Sequence, residues 1–254
     1  MSSIIDMQKL IKDIRDYEPA IVRIIFDYVF VPCSQDQEGK HKYIRAIPSP
    51  RTISICEKAF YGNKNLEWVI IDKTIKSIGN CAFYKCSGLK DITIPNSVTS
   101  IGRSAFHWCL ELTRITIPNS VTYIGNRAFC ECTNLTQVSI SNSVKTIGNF
   151  TFSGCLKLTS INIPNSVTTI GAGAFCDCAT LTHVTIPDSV EAIGDWAFDG
   201  CSKLTQITIP DSVTSIGFEA FNDCPNLREA SIPSHLKKTV KDNMFPNHTK
   251  IIVR

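Results

Sequence analysis

The chain has 254 residues, 43% of them hydrophobic, with 13 Gly and 12 Pro, a balance that fits a folded protein with a full core and excludes disordered and collagen-like chains. Lys and Arg number 26 against 23 Asp and Glu. No basic block of the kind that follows a phosphate backbone occurs, which argues against nucleic acid as a partner. The most apolar stretch, Ala20 to Val31, contains Arg23 and Asp27 and falls short of the ~20 residues a bilayer requires, so membrane insertion is not expected.

In chain order, residues 1–42 come first. Ile4, Ile5, Leu10, Ile11 and Ile14 fall near a helical period behind Ser3-x-x-Asp6, a capping-box pattern. Pro19 opens a second apolar helical run through Phe30, which Pro32 ends. The segment is read as an N-terminal helical cap over the rest of the chain, with a docking element as the alternative. Asp6, Asp13, Asp16 and Glu18 occupy the place of a secretory leader's basic and apolar regions. A cytoplasmic protein is expected; a chain stripped of a leader would instead sit at the cell surface.

From residue 43 to 254 a repeat dominates. Phe60, Phe83, Phe106, Phe129, Phe152, Phe175, Phe198 and Phe221 recur every 23 residues. Ile55 to Ile216 and Leu66 to Leu227 keep the same step, and three such columns predict a solenoid of about eight regular coils with degenerate end copies. L-x-x-I-x-I predicts a strand whose two Ile point inward while their neighbours face out. Pro95, Pro118, Pro164, Pro187, Pro210 and Pro233 end it, because Pro cannot extend the ladder. S-V-x-x-I predicts a second short extended segment. Gly79, Gly102 and Gly171 are expected to allow a tight bend, and Ala-Phe then supplies one small and one large core residue. A single coil has one buried face and closes a core only by stacking.

These residues closely resemble the BspA-like class of leucine-rich repeats, with their I-P-x-S-V-x-x-I-G-x-x-A-F-x-x-C-x-x-L signature, from about Ile53 to Pro233. The resemblance implies a β-rich solenoid of the α/β leucine-rich-repeat class: a right-handed coil with a parallel sheet on one face and short extended segments and turns on the other. Ser141 replaces the Pro, Thr151 the Ala and Cys56 the Gly. After Pro233 the pattern decays, with Phe245 arriving late and Ile251–Val253 expected as a last strand. Within the N-terminal segment, EPAIVRIIFDYV resembles the start of an F-box, although the rest of that motif is absent.

Seven of the 12 cysteines, from Cys86 to Cys224, follow Phe by three residues. Coils stacked at ~4.8 Å place them in a buried ladder of small hydrophobes. Cys130/Cys132 and Cys176/Cys178 lie two coils apart, roughly 10 Å at that spacing, too far for one tetrahedral zinc site. No metal and no cofactor is expected. The five His are scattered and no hydrolase, zincin, Walker or dinucleotide motif occurs; the chain is read as non-enzymatic.

In a solenoid the core columns repeat and binding columns vary. Two residues after the repeat Leu come Trp68, Asp91, Arg114, Gln137, Ser160, His183, Gln206 and Glu229, an outward lane that changes chemistry at almost every coil. A second variable region flanks Ala-Phe: His107 and Trp108, Phe150, Trp196 and Phe218. These aromatics either anchor an interface or cover the loop edge of the core. The expectation is a scaffold that binds a protein partner through the lane and the loop edge. The family resemblance implies an alternative, a surface adhesin for host or matrix proteins. The uniform lane Thr93, Thr116, Ser139, Asn162, Thr185 and Thr208 raises a third, recognition of glycan or ice.

Overall fold

The computed structural model describes residues 28–32, 43–48, 53–240 and 243–254, with side chains described from residue 53 onward. Each coil contributes one long strand, from Trp68–Ile71, Asp91–Thr93 and Arg114–Thr116 through to Glu229–Ile232 and Lys250–Val253. Successive coils pair parallel at the repeat step, Arg114 opposite Gln137 and Ser160 opposite His183. Within these strands the central apolar residue is buried and its neighbours exposed, as at Arg114–Thr116 and His183–Thr185. The parallel β-solenoid expected from the repeat is therefore the observed architecture.

Pro closes six of the long strands and opens a turn, in which the Val98 N–H donates to the Pro95 carbonyl (3.0 Å) and Val167 to Pro164 (3.0 Å), while Asp72 and Ser141 hold the position in two other coils. The following Ser hydroxyl caps the previous coil, Ser166 donating to Val144 and Ser189 to Val167, both at 2.7 Å. In the coil where Ser141 replaces Pro, Ser143 turns instead to the Asn119 carbonyl and Ser141 bonds Val121. His235 takes over the Ser role at the end of the solenoid, its Nε2 lying 2.8 Å from the Val213 carbonyl. The second extended segment is two residues long, as at Ser77–Ile78 and Ala192–Ile193, and forms its own parallel ladder.

The Gly column corrects an expectation. Gly102 and Gly125 do not adopt positive φ; a Cβ on Gly125 would meet backbone atoms of Gly102 and Arg103 in the preceding coil. Gly is required there by coil-to-coil approach rather than by a bend. The left-handed residues lie elsewhere, two before and two after each Phe. Lys58, Arg127, Phe150 and Trp196 have φ of 54–59°, and Lys85, Trp108, Glu131 and Asp177 have φ of 57–62°. Such residues cost roughly 1–2 kcal/mol each. The geometry aims alternate N–H groups at the next coil, Lys58 to Asn80 (2.9 Å), Phe60 to Ala82 (2.7 Å) and Gly62 to Tyr84 (2.7 Å), while the intervening ones close turns within the coil. A third interstrand-like ladder results, and it offsets the strain.

The Phe rings stack without interruption from Phe60 to Phe245, with centroids 4.9–5.6 Å apart and planes within 14° of parallel. The degenerate last copy thus completes the stack, and Lys250–Val253 pairs parallel with Glu229–Ile232 as the final strand. At the other end, Tyr43–Pro48 pairs parallel with Trp68–Ile71, and Tyr28–Pro32 pairs antiparallel with Tyr43–Pro48. The helical run expected through Phe30 is therefore strand from Tyr28, where Y-V-F-V-P alternates aromatic and β-branched residues suited to a ladder. The rest of the expected helical cap lies outside the described residues.

Candidate functional site

The structure places the variable lane on the outer side of the long sheet. Arg114, Gln137, Ser160, His183 and Gln206 are exposed, while Trp68, Asp91 and Glu229 are half-buried. The lane is not a row of independent side chains. Arg114 Nη2 donates to Asp91 Oδ2 across one coil (3.0 Å), and this pairing holds the guanidinium above its usual range. The Lys90 ammonium sits 5.0 Å from the Trp68 ring centroid and bonds Glu67 (2.7 Å). His183 Nε2 lies 3.2 Å from the Thr185 hydroxyl.

Two concavities flank the lane where the sheet meets the Pro turns. One, of about 570 Å³, lies among Asp91, Arg114, Thr116, Asn119 and Asn142. The other, of about 600 Å³, lies among His183, Gln206, Thr208, Asp211 and Arg254. Both are lined mainly by hydroxyl, amide and charged groups, with apolar residues such as Ile117 and Pro118 in the first and Ile186 and Pro210 in the second among them. Their chemistry suits hydrogen-bonded recognition of a polar surface better than capture of an apolar small molecule. Among the described residues no group of three His, Cys, Asp or Glu side chains is placed to hold a metal ion. No helix among them is long and apolar enough to cross a membrane.

At the loop edge the aromatics differ in exposure and contacts. Trp108 and Phe150 are half-buried and engaged: Lys85 lies 4.4 Å over the Trp108 ring and Arg127 lies 5.1 Å over Phe150. Trp196 and Phe218 remain 38% and 48% exposed, in edge-to-face contact at 5.9 Å. Tyr61 and Tyr84, absent from the sequence-based set, extend the cluster by stacking at 4.8 Å, and Tyr84 meets His107 at 5.1 Å. Their column lies next to the Phe ladder, and aromatic residues in two successive copies were the available signal. Burial, then the charges of Arg127 and Lys85, brings the His107 pKa down to about 4.

The cysteine ladder is more than a row of small hydrophobes. Each thiol donates to the Phe carbonyl of the preceding coil, Cys86 to Phe60 (3.0 Å), Cys132 to Phe106 (3.2 Å) and Cys224 to Phe198 (3.2 Å). Burial pushes Cys86 and Cys224 up to about 12, which leaves these thiols protonated and unreactive at neutral pH. All described cysteines are free.

Stacked parallel strands, a continuous Phe ladder and a surface lane without repeating chemistry define a leucine-rich-repeat solenoid. The chain belongs to the family described as BspA type leucine rich repeat region, matched over residues 53–181 and 145–252. Among solved structures it is similar to a leucine-rich repeat protein of T. pallidum, 26% identical with a TM-score of 0.54, covering 90% of this chain and 98% of that one. A leucine-rich repeat protein from Bacteroides ovatus ATCC 8483 is 20% identical with a TM-score of 0.49, at 90% and 98% coverage. The pneumococcal vaccine antigen PcpA is 22% identical with a TM-score of 0.45, at 87% and 76%. No curated protein matches.

Proposed function

We propose that the protein is a non-catalytic scaffold that binds a protein partner through the outward lane of the long sheet, with the loop edge as a second contact region. The observation that supports this reading is the contrast between columns. Phe, Gly and Cys recur because the next coil uses them, whereas the lane from Trp68 to Glu229 changes from aromatic to acid, base, amide and imidazole. Nothing in the stacking requires those changes. A surface with two largely polar concavities, one of them lined by the paired Arg114 and Asp91, offers directional hydrogen bonds to a folded or extended polypeptide. Arg114, His183 and Glu229 span the lane. Their simultaneous replacement by Ala is expected to abolish capture of a partner from the native source while leaving the melting transition unchanged. Undiminished capture by the triple variant counts against the sheet lane as the binding surface.

A further inference from the structure

Charge drifts along the loop edge. In the first four coils its exposed or half-buried positions carry Lys58, Lys85, Arg103 and Arg127, with Glu57 and Glu131 as acidic exceptions, beside Tyr61, Tyr84 and Trp108; in the last three they carry Asp177, Asp195, Asp199, Glu219 and Asp223. We propose that this edge is the interface between two copies of the chain, packed antiparallel about a two-fold axis so that the cationic, aromatic half of each covers the acidic half of the other. The inference concerns only the loop-edge part of the function proposed above.

The register follows from symmetry. A two-fold axis lying across the edge, midway between the coils of Arg127 and Phe150, sets each column against the same column of the partner with the coil order reversed. Lys58 then faces the partner's Glu219, Trp108 faces the partner's Asp177, and Arg127 faces the partner's Phe150. That last contact repeats between chains the cation–ring stacking Arg127 already makes at 5.1 Å within one chain. Lys85 comes within reach of the partner's Asp177 and Asp199. Every such contact occurs twice.

Three further observations support a partner of this kind. Tyr61, Trp196 and Phe218 are 47%, 38% and 48% exposed on the same edge, and aromatic residues are favoured interface anchors. Like charges crowd at both ends: Asp199 is raised by burial and then by Asp177, Asp223 and Glu219, while Lys85 and Arg127 add to the lowering of His107. Each field is relieved by the opposite one. Within the chain, contacts among the described residues that offset them include Lys58 with Glu57 (3.6 Å), Trp196 Nε1 with Glu219 (2.9 Å) and the Phe218 N–H with Asp195 Oδ1 (2.7 Å). Lys157 and Lys203 carry the reverse sign but lie behind the Cys column, toward the long strands, where they would form the rim. At ~4.8 Å per coil the edge runs roughly 35 Å, a length compatible with the ~800 Å² per partner of a standard interface.

Sedimentation velocity on the full chain tests this. The native protein is expected to be a dimer at low salt and to shift toward monomer near 1 M salt, where the Debye length is ~3 Å. K58E/K85E sets acids against the partner's Asp177 and Glu219, and D177K/E219K sets lysines against the partner's Lys58 and Lys85. Each variant alone is expected to be monomeric with a native circular-dichroism spectrum, and an equimolar mixture of the two is expected to form heterodimers. A native chain that stays monomeric at low salt overturns the proposal, as does a dimer indifferent to both substitutions or a mixture that stays monomeric. The R114A/H183A/E229A variant is expected to keep the dimer, so loss of partner capture and loss of self-association are read separately.

Discussion

The Phe–Cys corner and the outward lane of the long sheet obey the same 23-residue period under opposite demands. At the corner each group serves the next coil. Phe152 lies between the rings of Phe129 and Phe175, and the Phe152 carbonyl accepts the Cys178 thiol from the coil after it (3.2 Å). A change in one coil is therefore felt in two. On the lane the side chains point to solvent, and the Arg114–Asp91 pair is made between groups 68% and 36% exposed. Repetition is strict where neighbouring coils share a buried interaction and lapses on the solvent-facing lane.

The largest break in that contrast should come from the middle of the stack. Phe152→Ala removes a fully buried ring with neighbours on both faces and is expected to cost about 3–5 kcal/mol in urea unfolding. Phe245→Ala, at the end of the stack with one ring neighbour, should cost clearly less; equal losses would mean that stacking does not propagate. Next comes the thiol. Cys155→Ala deletes the donor to the Phe129 carbonyl (3.4 Å) together with buried volume, and a loss of about 1–2 kcal/mol is expected. A neutral result would return the column to simple space-filling.

The edge between these regions gives a pH test. Burial, then Arg127 and Lys85, lowers His107 from 6.5 to about 4 in the folded chain. The unfolded chain therefore binds the extra proton first, and His107 reduces stability as pH falls from about 6.5 toward 4. Denaturation midpoints measured across that window should decline less steeply for His107→Gln than for the native protein. An unchanged slope would show that His107 protonates freely in the fold. The smallest effect belongs to the lane: R114A/H183A/E229A should leave the melting transition essentially unchanged, since exposed pairs contribute little. Thermal melts check this, and a loss of several kcal/mol would erase the distinction between lane and corner.

Much of the fold was legible because burial in a solenoid is periodic. The Ile, Leu and Phe columns, the strand-ending Pro and the late Phe245 copy all appear at their expected places. The lane was legible by the same logic, as the columns that fail to repeat. The αL pairs were not, because among the described residues they are occupied by twelve non-glycine residues, Lys, Trp, Glu and Phe among them, against four Gly, and only bonding to the next coil makes that conformation worth its strain. Gly79, Gly102 and Gly171 misled for the complementary reason: Gly serves close approach as readily as positive φ.

The sequence alone determined the period, the buried columns, the family and the lane where variation concentrates, since each depends on a pattern local to one 23-residue copy. Tertiary structure decided what the copies do to one another. It gave each ladder thiol a carbonyl 26 residues back, moved the left-handed residues to either side of Phe, and separated engaged Trp108 and Phe150 from exposed Trp196 and Phe218. These are relations between coils, set by ~4.8 Å stacking, and no single copy contains them.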